Sequence, residues 1–302
     1  MLNILSYGFM QNAIMTAVIV SVICGLIGPF IVTKKMVFIS GGLSHSAFGG
    51  LGIAYWLGIN PLYGALVFVL AAAVGLGFKD NVKNDNNDIF IGILWATGMA
   101  TGIVFIHMTP GYAPNLMTFL FGNILTVSSH DLHIIFVLFC VVVSVVIIFF
   151  KGFTAVALDE EYAKVRKLPV RLLNIGLLIL IALSIVALIQ VVGIILVIAL
   201  LTIPVAIAEE FSSDFKKIMV ISILFGILIC ITGLVISYFI EFPSGASIIL
   251  TGSFFLGVIK LIKKILFRPG AKHDNLISTD QNLNYASLSP GYERKGKTIK
   301  GE

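Results

Sequence analysis

Leu132-His-Ile-Ile-Phe-Val-Leu-Phe-Cys-Val-Val-Val-Ser-Val-Val-Ile-Ile-Phe-Phe150 runs for nineteen residues without an Asp, Glu, Lys or Arg, and Lys151 ends it. As a helix it is about 28 Å long, close to the thickness of a bilayer's hydrocarbon core at about 30 Å. Comparable runs on either side occupy Phe9 to Val32, Leu43 to Gly58, Pro61 to Phe78, Ile89 to Met108, Leu172 to Gln190, Val191 to Ala208, Ile218 to Phe239 and Ser247 to Leu266. The chain therefore reads as an all-α, polytopic transmembrane helical bundle of about nine spans. The second run is short at sixteen residues, and only Gln190 to Gly193 separates the sixth from the seventh, so eight or ten spans also fit. With 58% hydrophobic and 12% charged residues, 302 residues cannot cover a water-facing surface, for which about 25% charged is usual. The bilayer must act as the solvent.

Orientation follows from the basic residues, which favour the cytoplasmic loops near span ends. All twenty fall in alternate gaps or in and beyond the final turns of the last run: Lys34 and Lys35; Lys79 and Lys83; Lys151, Lys164, Arg166, Lys167 and Arg171; Lys216 and Lys217; and nine from Lys260 to Lys300. The residues before Phe9, Ile59 to Asn60, Thr109 to Asp131 and Ile240 to Ala246 contain none. An odd number of spans then puts the N-terminus outside and the C-terminus in the cytoplasm. Met1 to Gly8 lacks the basic region of a cleaved signal peptide, so the first run is expected to be a retained helix. Cys24, Cys140 and Cys230 sit mid-span and far apart in sequence, as small apolar residues and not as a disulfide or metal framework.

Two regions fall out of the charge pattern: a transmembrane domain at 1–267 and a basic tail at 268–302, whose Lys, Asn, Ser and Gly predict a disordered cytoplasmic extension. Gly291-Tyr-Glu-Arg-Lys-Gly-Lys297-Thr298 in that tail matches the spacing of a phosphate-binding P-loop. It lacks the preceding strand and following helix that such a loop needs, and reads as accidental. Nothing points to a nucleic-acid partner.

Gly98-x-x-x-Gly102, Ala71-x-x-x-Gly75 and the Gly49, Gly50, Gly52 cluster are expected to let helix backbones approach closely, as small residues do in membranes. Three other places depart from a generic bundle. The loop at 151–171 contains Leu158-Asp-Glu-Glu-Tyr-Ala-Lys-Val-Arg-Lys-Leu-Pro169. Its opening acids, closing bases, Asp159 N-cap and stopping Pro169 predict a short helix. Tyr162, Ala163 and Leu168 would give it an apolar face for a partner, and a solvated charged loop fits equally well. The outer stretch Thr109 to Asp131 holds Asn115-Leu-Met-Thr-Phe-Leu-Phe-Gly-Asn123-Ile-Leu125, too short to span, so 115–126 is expected to be a re-entrant or interfacial segment. Finally, Ser44-His45-Ser46 opens the second run, where an ionisable residue is a functional candidate, or an interfacial histidine capped by one of its serines.

Four stretches carry a resemblance to a known family. Ile39-Ser-Gly-Gly-Leu-Ser-His45-Ser-Ala-Phe-Gly-Gly-Leu-Gly52, Phe119-Leu-Phe-Gly-Asn123-Ile-Leu125, Leu158-Asp-Glu-Glu-Tyr-Ala163 and Pro243-Ser-Gly-Ala-Ser-Ile-Ile-Leu250, in order and at the right spacing, resemble the permease subunit of the ABC importers for zinc, manganese and iron. The likeness covers Met10 to Leu266 and omits the tail. It implies a fold like that of the vitamin B12 importers, in a bacterial or archaeal cell membrane. It also implies a pore of two copies of this chain, a separate cytoplasmic ATPase dimer that binds ATP and Mg, and an extracellular metal-binding protein. The chain itself would carry no cofactor and no catalytic residue. Asp159, Glu160, Glu161, Tyr162, Ala163 and Leu168 would match the coupling helix that docks into the ATPase. Ser44, His45, Ser46, Gly49 and Gly50 would match the inner gate, and Asn115, Phe119 and Asn123 the outer pore segment.

A dehydrated divalent ion wants imidazole or oxygen ligands. His130 and His133, one helical turn apart, with Asp131 and His107, are the candidates for a transient site at the outer side, and surface histidines are the plainer alternative. Three outer histidines place zinc slightly ahead of manganese, with iron third. No zinc-protease motif occurs, and the span interiors hold no Asp or Glu, which disfavours the other alternative, an ion-coupled secondary transporter. Glu209 and Glu210 end the seventh run, where they read as interfacial charges or an exit for a cation.

Overall fold

The computed structural model describes residues 7–78, 86–110 and 120–266. The tail 268–302, its P-loop-like pattern, and Asn115 and Phe119 of the outer segment lie outside the described residues. Those described are helical with short connections: α1 Gly8–Thr33, α2 Val37–Trp56, α3 Pro61–Phe78, α4 Asn86–Met108, a single 3-10 turn Ile124–Thr126, α5 Ser129–Leu158, α6 Glu160–Val165, α7 Val170–Val192, α8 Ile194–Phe211, α9 Phe215–Ile240 and α10 Ser244–Leu266. All but α6 and the 3-10 turn are long and apolar enough to cross a membrane, which gives nine among the described residues. The chain divides into the unit Met1–Ile259, which is the bundle, and the unit Lys260–Glu302, of which residues 260–266, the end of α10, are described.

α1 and α2 are the most buried helices, whereas α3, α4 and α5 turn most of their surface outward. α2 starts six residues before the expected Leu43 and has twenty residues, so it is not short. Ser40-Gly41-Gly42, which precedes that expected start, lies inside it. Gly42 sits so close to Ile91 of α4 that any Cβ would overlap that side chain, and packing outweighs glycine's poor helix propensity. Gly49 and Gly52 meet Gly98 and Gly102 of α4, and Gly50 meets Gly64 of α3, as expected for a small-residue seam. The Ala71-x-x-x-Gly75 expectation is corrected: both residues are exposed and nothing lies within 4 Å of a Cβ built on Gly75. α3 instead buries Ala65, Val69, Ala73 and Leu76, the stripe on its other side.

The basic loops gather at one end. Lys34 reaches Glu160, Arg171 Nη2 donates to the Phe78 carbonyl at 3.4 Å, and the Lys216 ammonium stands 5.8 Å from the centre of the Phe150 ring. At the opposite end, which carries no lysine or arginine among the described residues, Asn12 Nδ2 donates to the Val127 carbonyl at 3.3 Å. Tyr7, Trp56, Tyr63 and Tyr238 are exposed at helix ends there, the placement of an interfacial aromatic belt.

Candidate functional site

At the lysine-rich end, α6 forms as its sequence predicts at its start. Asp159 Oδ1 accepts hydrogen bonds from the amides of Glu161 at 2.9 Å and Tyr162 at 3.0 Å, satisfying two donors that a helix leaves open. Its end is set earlier than Pro169. Lys167 takes a left-handed conformation (φ 56°), its amide bonding the Lys164 carbonyl at 2.9 Å and that of Leu168 the Ala163 carbonyl at 3.1 Å, a Schellman turn with lysine where glycine is usual. The same turn ends α1, with Lys35 left-handed (φ 57°).

The apolar face differs from expectation. Ala163 is fully buried and Leu168 half-buried against the core, while Leu158, Tyr162 and Val165 are exposed. In a helix, residues 162 and 165 share one side and 160 and 163 another, so the inward choice of Glu160 and Ala163 turns Tyr162 out; Leu158, the last residue of α5, precedes the extended Asp159. Arg166 Nε donates to the Tyr162 hydroxyl at 2.9 Å, with its guanidinium 5.3 Å from the ring centre. Glu161 accepts from Lys164 at 2.7 Å, a bond that raises the lysine's pKa. Both are solvent-exposed, where such pairs add little stability.

What holds α6 is a residue the sequence marked only as a topological charge. The Lys34 side chain is 7% exposed. Its ammonium donates to Glu160 Oε1 at 2.8 Å, Asn174 Oδ1 at 2.7 Å and the Val156 carbonyl at 3.3 Å, so α1, α5, α6 and α7 converge on one nitrogen. Beside it Phe30 of α1 packs against Phe153 of α5 and Phe215 of α9, at ring separations of 6.1 and 4.9 Å.

The inner-gate candidates sit deeper than the mouth of a span. His45 is eight residues into α2, about 12 Å along its axis. Its ring is buried, stacks on Trp95 of α4 with centroids 4.1 Å apart, and brings Nδ1 to 3.4 Å from Met99 Sδ. The serines do not cap it: Ser44 Oγ donates to the Ser40 carbonyl and Ser46 Oγ to that of Leu43, both at 2.8 Å. Gly49 and Gly50 belong to the α2 seam. Trp95 and Met99 were unremarkable in sequence because an aromatic or Met in a span is ordinary filling.

At the lysine-free end the described part of the outer segment, 120–126, is clamped by backbone. Gly122 and Gly193, both left-handed (φ 62° and 79°), lie against each other so closely that a Cβ on either would overlap main-chain atoms of the other segment. Gly245, at the start of α10, meets the Phe121 carbonyl in the same way. Ser244 Oγ accepts from the Ile124 amide at 3.3 Å and donates to Asn123 Oδ1 at 3.4 Å, which itself accepts from the Leu125 amide at 3.1 Å. Gly193 is also the single residue joining α7 to α8, which explains how two spans follow each other without a hydrophilic loop.

The candidate metal ligands form no cluster of three among the described residues. Asp131 is committed to a capping box with Ser128, whose hydroxyl donates to its carboxylate at 2.6 Å. His133 Nδ1 is 2.6 Å from the Ser129 carbonyl one turn back and so carries the proton. His107 and His130 are exposed on different helices. Among the described residues no three His, Cys, Asp or Glu side chains come together as a metal cage.

Residues 6–263 match the model of a family described as the ABC 3 transport family. An uncharacterized membrane protein of Synechocystis is 44% identical over 84% of this chain and 90% of its own length. A manganese transport system membrane protein of Listeria innocua is 35% identical over 83% of this chain and 89% of its own. Among solved structures, one described as PsaBC from Streptococcus pneumoniae in complex with Fab superposes with a TM-score of 0.76 at 31% identity, covering 84% of this chain and 91% of that one.

Proposed function

The chain belongs to the ABC 3 transport family and is a metal-type ABC transporter permease of the plasma membrane; from that premise we propose that two copies of it form the pore of an ATP-driven importer of divalent transition-metal ions. The lysine-rich end faces the cytoplasm, with the N-terminus outside, in keeping with the positive-inside rule. There a separate ATPase dimer binds ATP and Mg, and an extracellular metal-binding protein delivers the ion at the other end.

The observation that carries this reading is α6. A six-residue helix, capped at both ends and fastened by a buried ammonium, turns Tyr162 and Val165 outward beside the exposed Leu158 at the end of α5, with Glu161 and Arg166 around them. An apolar centre with a polar rim is the anatomy of a docking site. The ion path runs beside α2 at His45 on the inner side and past Asn123 on the outer side. Manganese is favoured as the cargo over zinc. Relatives such as the Listeria protein are named for manganese, and His107, His130 and His133 do not gather with Asp131 into a three-ligand cage among the described residues.

Capture of the tagged chain from native membranes tests the reading. Recovery of an ATPase in equal number, with ATP hydrolysis stimulated by Mn2+, is the expected result. Mn2+ transport into vesicles by the chain alone, without ATP, would replace it with an ion-coupled secondary transporter.

A further inference from the structure

The Lys34 contacts carry an inference that rests on the importer reading and goes past it. A lysine ammonium has three protons to donate. Here all three are used, and the four elements they join are the one that offers the docking face, α6, and the three that meet it, α1, α5 and α7. The neighbouring lysine, Lys35, is exposed, so the pair that reads as two equivalent loop charges is divided into one solvated residue and one buried latch.

Asn174 sits one turn into α7 and binds the same carboxylate, its Nδ2 lying 3.5 Å from Glu160 Oε1, which closes a triangle of Lys34, Glu160 and Asn174. Glu160 is the only member on α6, and α6 meets the rest of the bundle through it and the buried Ala163. A push on the exposed side of so short a helix passes inward through contacts that resist both compression and extension. Ala163 resists compression alone, because van der Waals contact repels at short range and holds weakly on separation. The charged hydrogen bonds of Lys34 supply the pull.

We propose that Lys34 is the positioning residue that makes α6 move as one body with α1 and α7, so that displacement of the docked ATPase in either direction reaches the pore helices. Without it the ATPase still docks on Tyr162 and its neighbours, and its cycle turns without drawing α1 along.

Lys34→Met keeps the length of the side chain and removes its donors; Lys34→Arg restores donors. Asn174→Ala opens the triangle without leaving a buried charge unpaired. Each full-length variant is expressed as the sole copy in cells. Initial Mn2+ uptake is measured, along with ATP hydrolysis by the complex purified from the same cells. The wild type must couple the two, and a wild type that imports without the ATPase removes the importer reading and this inference with it. Given coupling, Lys34→Met is expected to co-purify with the ATPase and hydrolyse ATP at no less than half the wild-type rate while uptake per ATP falls tenfold or more. Lys34→Arg should recover uptake at least threefold over Lys34→Met, and Asn174→Ala should lose two- to fivefold. Unchanged uptake per ATP in Lys34→Met overturns the inference. So does a parallel fall of uptake, hydrolysis and ATPase recovery, which marks Lys34 as structural. If Lys34→Met does not accumulate, Asn174→Ala decides by the same ratio.

Discussion

Two short segments that do not cross the membrane are fastened to the same bundle by opposite means. α6 hangs on side chains: one ammonium, one carboxylate, one amide and a buried methyl group. The turn at Ile124–Thr126 is held by main chain, with Gly122 against Gly193 and Gly245 against the Phe121 carbonyl, and Ser244 adding the hydroxyl that joins it to α10. The side-chain contacts hold by directed attraction to a charged donor, which resists separation as well as approach. The glycine seam holds by shape, because close-packed backbone has no room for one carbon atom. One attachment is undone by removing donors and the other by adding bulk.

Gly193→Ala should break this contrast most severely. A positive φ with extended ψ, as at Gly193, costs an ordinary residue about 1–3 kcal/mol before any overlap is counted, and here the added methyl group meets Phe121 and Gly122. Folded protein in detergent extracts should fall to a small fraction of wild type, and a normal yield would show that the seam yields after all. Lys34→Met comes next. Loss of hydrogen bonds from a charged donor should cost about 1–3 kcal/mol in thermal unfolding while most of the protein still inserts. Ser244→Ala removes the hydroxyl bridging Ile124 and Asn123 and should cost about 0.5–1.5 kcal/mol. A larger loss would mean that the hydroxyl, not the glycines, carries the outer attachment. Glu161→Ala with Tyr162→Ala touches exposed groups only, so stability should stay within about 0.5 kcal/mol while ATPase recovery in a pull-down drops severalfold. The smallest effect is expected for His130→Ala with His133→Ala, with stability and Mn2+ uptake both near wild type. A tenfold loss of uptake there would return the histidines to the ion path.

The spans and their alternation were legible because a bilayer imposes length and apolarity on every crossing, and the nine runs satisfy both. The N-cap at Asp159 was legible for a similar reason, since its signal is local. The start of α2 at Val37 was missed because the meaning of Gly42 depends on Ile91 of α4, distant in sequence, coming close enough to need it. Lys34 was hidden by its neighbour: side by side with Lys35, it carries no local mark of which lysine is buried, and the positive-inside rule accounts for both. Ala163 was placed on the wrong side because a helix of six residues has too few positions to define a face. Asn174 and Ser244 are single polar residues in or beside spans, where sequence shows the polarity and not the partner.

The chain has two tryptophans, and they sit in unlike surroundings. Trp56 is exposed at the lysine-free end, edge-on to Phe105 at 5.4 Å. Trp95 lies flat on the His45 ring across the α2–α4 seam. With Trp56 replaced by Phe, the ultraviolet emission of unlabelled protein comes from a single indole whose stacking partner belongs to another helix. Any separation of α2 from α4 near His45 then changes the brightness of the molecule, and the fold carries its own optical gauge of that seam.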